Sequence, residues 1–96
     1  MYLKIHERQN RKIIAVCDKD LIGKIFEEKD LQLKVSENFY KGSILPEKEI
    51  IAILKDAINI NLVGKKTIKL ALKNNIISKE NIIKIKGVPH AQVISL

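Results

Sequence analysis

The chain has no tryptophan, one cysteine, two prolines and four aromatic residues, Tyr2, Phe26, Phe39 and Tyr40. A single cysteine, Cys17, excludes an internal disulfide and every cysteine-cluster metal site within one chain, so neither metal nor cofactor is expected. The aromatics all lie in the first half, which leaves the remainder without a ring on which a nucleic-acid base would stack. No apolar run approaches the roughly 20 residues a membrane helix needs, so no membrane association is expected. The opening "MYLKIHERQNRK" lacks a continuous apolar segment, which argues against a signal peptide and for a cytoplasmic protein.

What is present is globular: 46% hydrophobic and 30% charged residues in 96, enough for one core and one domain over 1–96. "YLKIHE" alternates apolar Leu3 and Ile5 with polar Lys4 and His6, and "KIIAVC" follows across the polar "RQNR", which predicts two strands in a hairpin. The second strand, apolar on both faces, reads as central and covered. "DKDLIGKIFEEKD" reads as a turn and short irregular stretch, with Asp18 and Asp20 as capping candidates and Gly23 as an interruption. "LQLKV" predicts a third strand, closed by turn residues in "SENFYKGS".

Pro46 marks the start of a helix with Glu47 and Glu49 in its first turn and Ile50, Ile53, Leu54, Ala57 and Ile58 on its buried face. After "NINLVG" a second helix is predicted from about Lys65 to Asn74, burying Ile68, Ala71 and Leu72 and ending at Asn74 and Asn75. "ENIIKIKG" and "HAQVISL" predict a closing strand pair around a turn at Gly87 to Pro89. Strands, then two helices, then strands give an α+β fold.

The charge is lopsided. Residues 1–58 carry eleven basic and ten acidic residues, whereas residues 59–96 carry seven lysines against Glu80 alone. Lys66, Lys69 and Lys73 are spaced to form a stripe on the second helix, and Lys84 and Lys86 share one side of the following strand. Lys65 and Lys66 fall in a first turn, where the helix dipole opposes them; a phosphate bound at the exposed amides after Gly64 would offset that, unless the lysines simply reflect a lysine-rich composition. "VGKKT" is not a P-loop, because the upstream glycine and the Ser or Thr after the lysine are missing.

Chemical candidates are few. Cys17 with His90 is one nucleophile and base pairing, although Cys17 ends an apolar strand and reads as a small core residue. Asp18 and Asp20 read as an acid pair, as a pair that holds Mg²⁺ through a substrate phosphate, or as caps. His6 reads as a polar residue on an exposed strand face. His90 follows Pro89, so its imidazole is expected to be presented from a stiff turn as an acid/base group or a structural donor.

"AVCDKDLIGKIF", "VSENFYKG", "NLVGKKTIKLAL" and "GVPHAQV" together make the chain resemble the small archaeal family catalogued as Domain of Unknown Function 424, over nearly its whole length. The resemblance implies an archaeal, cytoplasmic protein and marks Cys17, Asp18, Gly23, Phe26, Phe39, Tyr40, Gly64, Gly87, Pro89, His90 and Gln92 as motif positions, with no role for any of them.

The functional expectation is a non-enzymatic RNA-binding module, accessory to translation or ribosome assembly, that places Lys65, Lys66, Lys69, Lys73, Lys84 and Lys86 on phosphates. One alternative is a small enzyme or binding protein for an acidic or phosphorylated metabolite, using His90 with Asp18, Asp20 or Cys17. Another is an interaction subunit docking a protein partner through an apolar patch at Phe39 and Tyr40.

Overall fold

Gln9 and Asn10 both have positive φ (52° and 65°), the paired left-handed geometry whose twist matches two flanking strands. β1 (Tyr2–Arg8) and β2 (Arg11–Cys17) therefore form the expected hairpin, with Tyr2 opposite Cys17 and Arg8 opposite Arg11. This computed structural model describes residues 1–95. Lys86 and Gly87 (52° and 77°) repeat the same turn at the other end, between β7 (Ile82–Ile85) and β8 (Val88–Ile94). The closing turn thus falls earlier than expected, and Pro89 and His90 belong to the strand. The closing strand predicted through Leu96 ends at Ile94, and Leu96 itself lies outside the described residues.

The stretch expected to be irregular holds β3 (Ile25–Glu28), which pairs with β4 (Leu31–Lys34) as a separate two-stranded sheet across Lys29, itself at φ 56°. Two apolar residues followed by two acids give no period-two signal, so alternation does not reveal β3. The turn after β4 is a single helical turn, α1 (Glu37–Tyr40), started by Ser36, whose hydroxyl accepts the Phe39 N–H at 3.2 Å. The short β5 (Ser43–Ile44) then adds to the outer edge of β1.

Both long helices form where apolar spacing places them. α2 (Glu47–Lys55) follows Pro46 and buries Ile50 and Leu54; it stops at Lys55, so Ile58, expected on its buried face, is 64% exposed. α3 (Lys65–Lys73) buries Thr67, Ile68, Leu70 and Ala71, and Asn75 at φ 58° turns the chain away. Between them runs β6 (Asn59–Val63), which the sequence reading does not identify. Asparagine is poorly suited to strands by propensity, and "NINLV" is short. Tertiary context decides the matter: β6 pairs parallel with β2 and antiparallel with β8.

The resulting six-stranded sheet has the order β5-β1-β2-β6-β8-β7, so strands from both ends of the chain share it. Alternate side chains of β2 and β6 point to opposite faces. Val16, Ile60 and Leu62 meet Ile50, Leu54, Ile68 and Ala71 of the helices on one face. Ala15, Cys17 and Val63 meet Leu33, Val35 and Tyr40 on the other. The central position expected of the second strand follows from this double burial, and each fully buried aliphatic there contributes about 1.5–3 kcal/mol. The fold is α+β.

Candidate nucleic-acid interface

α3 begins at Gly64, and the local chemistry there explains why a helix starting with two lysines is stable. The Asp18 carboxylate, at the end of β2, accepts the Lys66 N–H through Oδ2 at 3.0 Å and the Thr67 N–H through Oδ1 at 2.9 Å; the Thr67 hydroxyl donates to Oδ1 at 2.7 Å. Where a bound phosphate is expected, the Lys66 and Thr67 amides are taken by the chain's own carboxylate. Asp18 is a cap, as one sequence reading had it, but of a helix far along the chain and not of its own turn.

Gly64 is the hinge of this arrangement. Its φ is 112°, and a β-carbon on it would run into the Asp18 carboxyl carbon. Its N–H donates to the Pro89 carbonyl at 2.9 Å, while its carbonyl accepts the first helical bond from Ile68 at 2.9 Å. A donor on Pro89 would find that carbonyl already engaged, so proline is tolerated inside the sheet at this point.

From that start, α3 directs Lys65, Lys69 and Lys73 along one flank, each four residues and one turn from the last. These three, with Lys79 and Lys84, line a groove of about 830 Å³ whose lining contains no acidic residue. Ile68, Leu72, Ile82 and Pro89 also line it. Nothing in the sequence spacing of Lys79 connects it to α3. It is presented by a 3-10 turn (Lys79–Asn81) held by the Ser78 N–H donating to Asn81 Oδ1 at 2.9 Å. Proximity to the basic strand was the only available signal.

Two expected lysines lie outside the groove. Lys66 is displaced about 100° around the helix from Lys65. Lys86 occupies the β7–β8 turn, where its N–H donates to Glu28 Oε1 at 2.9 Å, so it does not share a strand face with Lys84.

The chemical candidates do not converge. Cys17 and His90 stand on the same sheet face but with Val63 between them, two strand spacings or about 10 Å apart. Burial and the adjacent Asp18 carboxylate push the Cys17 thiol up to about 12, so it behaves as a core residue. Asp18 projects to the helix side, away from both, and Asp20 is exposed in a 3-10 turn. His90 is half-buried, with its pKa lowered by desolvation, and its strand position replaces the expected stiff turn. Gln92, two residues on, is exposed, and Gly87 serves the turn through its positive φ.

His6 is not simply on a wet face. Its ring stacks on Phe39 with centroids 4.6 Å apart, and its Nε2 lies 2.8 Å from the Phe39 carbonyl oxygen. Tyr40 is buried and meets Phe39 edge-on, so the apolar docking patch expected at these two residues is absorbed by the fold. No group of metal-ligating side chains occurs among the described residues. None of the described helices is long and apolar enough to cross a membrane.

Fold and groove together define a small α+β protein with one cationic concavity beside its central sheet. The chain belongs to the family described as Protein of unknown function (DUF424), whose model matches residues 6–96. It is similar to the crystal structure of an uncharacterized conserved protein from Methanopyrus kandleri, at 25% identity and a TM-score of 0.78, over 99% of this chain and 92% of that one. No curated protein matches it.

Proposed function

We propose that the protein binds the phosphate backbone of structured RNA through the groove between α3 and β7. The observation that carries this reading is the convergence of Lys65, Lys69, Lys73, Lys79 and Lys84 on one concavity without an acid in its lining. Lysines are point charges that neutralise phosphates and release counterions, without reading base edges. The absence of aromatic residues from the groove lining supports recognition by shape in place of base stacking. Ribosomal RNA or its precursors, as abundant structured RNA, are the corresponding partners, in an accessory role in translation or ribosome assembly.

The test is a fluorescence-anisotropy titration with an RNA stem-loop at rising salt. Binding at about 50 mM salt that weakens steeply by about 200 mM supports the reading. Lys69→Glu with Lys73→Glu abolishes it, while Lys86→Glu, outside the groove, weakens it only slightly. Absence of binding at low salt, or indifference to the double reversal, removes the proposal.

A second reading comes from the aliphatic residues in the same groove. Ile68, Leu72, Ile82 and Pro89 between lysines also suit an acidic amphipathic segment of a protein partner. Partners that remain bound after nuclease treatment and are lost with the same double reversal favour that reading over RNA.

A further inference from the structure

The sheet face turned away from the helices is only half covered. Leu33, Val35 and Tyr40 close over Ala15, Cys17, Val63 and Ile85, whereas Gln92 is exposed and Ile83 and Ile94 are 53% and 57% exposed on the same face. The lip of this cover crosses β6 at Asn61, which lies beside Ala15 on β2 and directly opposite Gln92 on β8.

Asn61 is 9% exposed, yet its amide makes no hydrogen bond among the described residues. Among those residues the Asn59 oxygen is the one closed-off side-chain atom without a partner, so both the oxygen and the nitrogen of the Asn61 amide reach solvent. A nearly buried amide with its donor and its acceptor unused and open calls for a partner that supplies the complement of each. Gln92, directly across the strand pair, adds a second amide with the same two capacities.

The hairpin end of the same face is cationic. Arg8 and Arg11, the chain's two arginines, stand directly opposite each other across the β1–β2 turn. The next pair along, Glu7 and Lys12, points to the helix face and is complementary, at 3.8 Å. Like charges directly opposite in a strand pair are destabilising, and none of the residues that the six strands turn to this face is acidic. An anion offsets such a pair, and two planar guanidinium forks suit a phosphate. Ile13, half-buried, lies on the same face between the arginines and Ala15.

We propose that this half-open face binds an adenine nucleotide, with Asn61 and Gln92 on the edge of the base and Arg8 and Arg11 on the phosphate. A carboxamide presents an acceptor and a donor side by side, the pattern that pairs with N6 and N7 of adenine. Ile13 and Ile94 supply apolar surface under the rings. Arg11 is four residues along β2 from Ala15, about 13 Å, and the long arginine side chains shorten that span to the reach of one nucleotide. A simple phosphate leaves both amides unanswered, and a nucleoside leaves the arginines so. The site does not depend on the lysine groove, whose Ile82, Lys84 and Pro89 belong to the opposite face of the sheet.

The test is an NMR titration of the isotopically labelled protein with adenosine 5′-monophosphate. Saturable shifts at Arg8, Arg11, Asn61 and Gln92 are expected, with a dissociation constant between about 10 μM and 1 mM. Adenosine and uridine 5′-monophosphate should each bind about tenfold more weakly. Asn61→Leu should abolish binding with no loss in urea midpoint, because it removes an amide that the fold leaves unpartnered. Arg8→Gln with Arg11→Gln, both at exposed positions, should reduce the nucleotide to the affinity of adenosine. The Lys69→Glu, Lys73→Glu variant should bind it unchanged. Tighter binding of a single-stranded oligoadenylate at the same residues supports the site and identifies its source as RNA; equal or weaker binding supports the site for the free nucleotide. No shifts up to about 5 mM, shifts that map to the lysine groove, equal affinity for the adenine and uracil nucleotides, or full binding by Asn61→Leu would each overturn the proposal.

Discussion

Asp18 and Thr67, 49 residues apart, meet twice: one carboxylate oxygen takes both the hydroxyl of Thr67 at 2.7 Å and its backbone N–H at 2.9 Å. This contact fastens the end of β2 to the start of α3. Asp18→Ala would leave the α3 amides unsatisfied, and we expect a stability loss of about 2–3 kcal/mol in urea denaturation. Asp18→Asn, which keeps one acceptor oxygen, should lose less. A loss below about 0.5 kcal/mol, the range of an ordinary surface change, would mean that another group satisfies those amides.

Gly64→Ala combines two faults, a left-handed φ and a collision with that same carboxylate. Its expected cost is above about 3 kcal/mol. Because the collision disappears when the carboxylate does, Gly64→Ala with Asp18→Ala should cost less than the sum of the single changes. Strict additivity in the double-mutant cycle would show that backbone strain alone is responsible.

His90 is held below its ordinary value of 6.5 by burial, so the folded state favours the neutral ring. As pH falls through 6.5, the unfolded chain takes up a proton that the folded chain refuses, and stability declines until the pH reaches the lower folded value. His90→Gln should therefore flatten the fall in urea midpoint between about pH 7 and pH 5. His6 is present in both proteins and cancels in the comparison. Parallel profiles for the two proteins would show that His90 is not the source of the decline.

Cys17 is fully buried, and its thiol is pushed up to about 12. A disulfide reagent such as Ellman's should fail to label the native protein over hours at neutral pH and label it promptly in denaturant. Fast labelling of native protein would contradict the packed environment.

The sequence reading located both hairpins at the chain's ends, both long helices and the α+β class, because these rest on strong local signals: alternation in "YLKIHE", Pro46 followed by acids, and aliphatics at helical spacing. β6 escaped because its asparagines argue against a strand and only its neighbours make it one. The lysine groove was legible in part. Lys65, Lys69, Lys73 and Lys84 follow from charge counting and their places on the helix and strand, whereas Lys79 depends on a tertiary approach that no periodicity records. Electrostatics asks for an anion at the start of α3, but where a bound phosphate is expected the structure places Asp18, a long-range contact that composition cannot supply. The exposure of Ile5 and Ile58 was illegible for the same reason, since both look like core residues until the fold leaves them outside.

β6 has consequences for how quickly the chain reaches its structure. The hairpins β1–β2 and β7–β8 are local and can close within microseconds, but β6 has two neighbours in the sheet and neither is adjacent to it in sequence. Neither hairpin gains a complete sheet until this one segment enters between them. Folding should therefore wait on its arrival, and Leu62→Ala, at the buried centre of the strand, should slow refolding in stopped-flow measurements more than an equally destabilising change in α2 such as Leu54→Ala. The segment least recognisable as a strand would then be the one that sets the pace for the whole molecule.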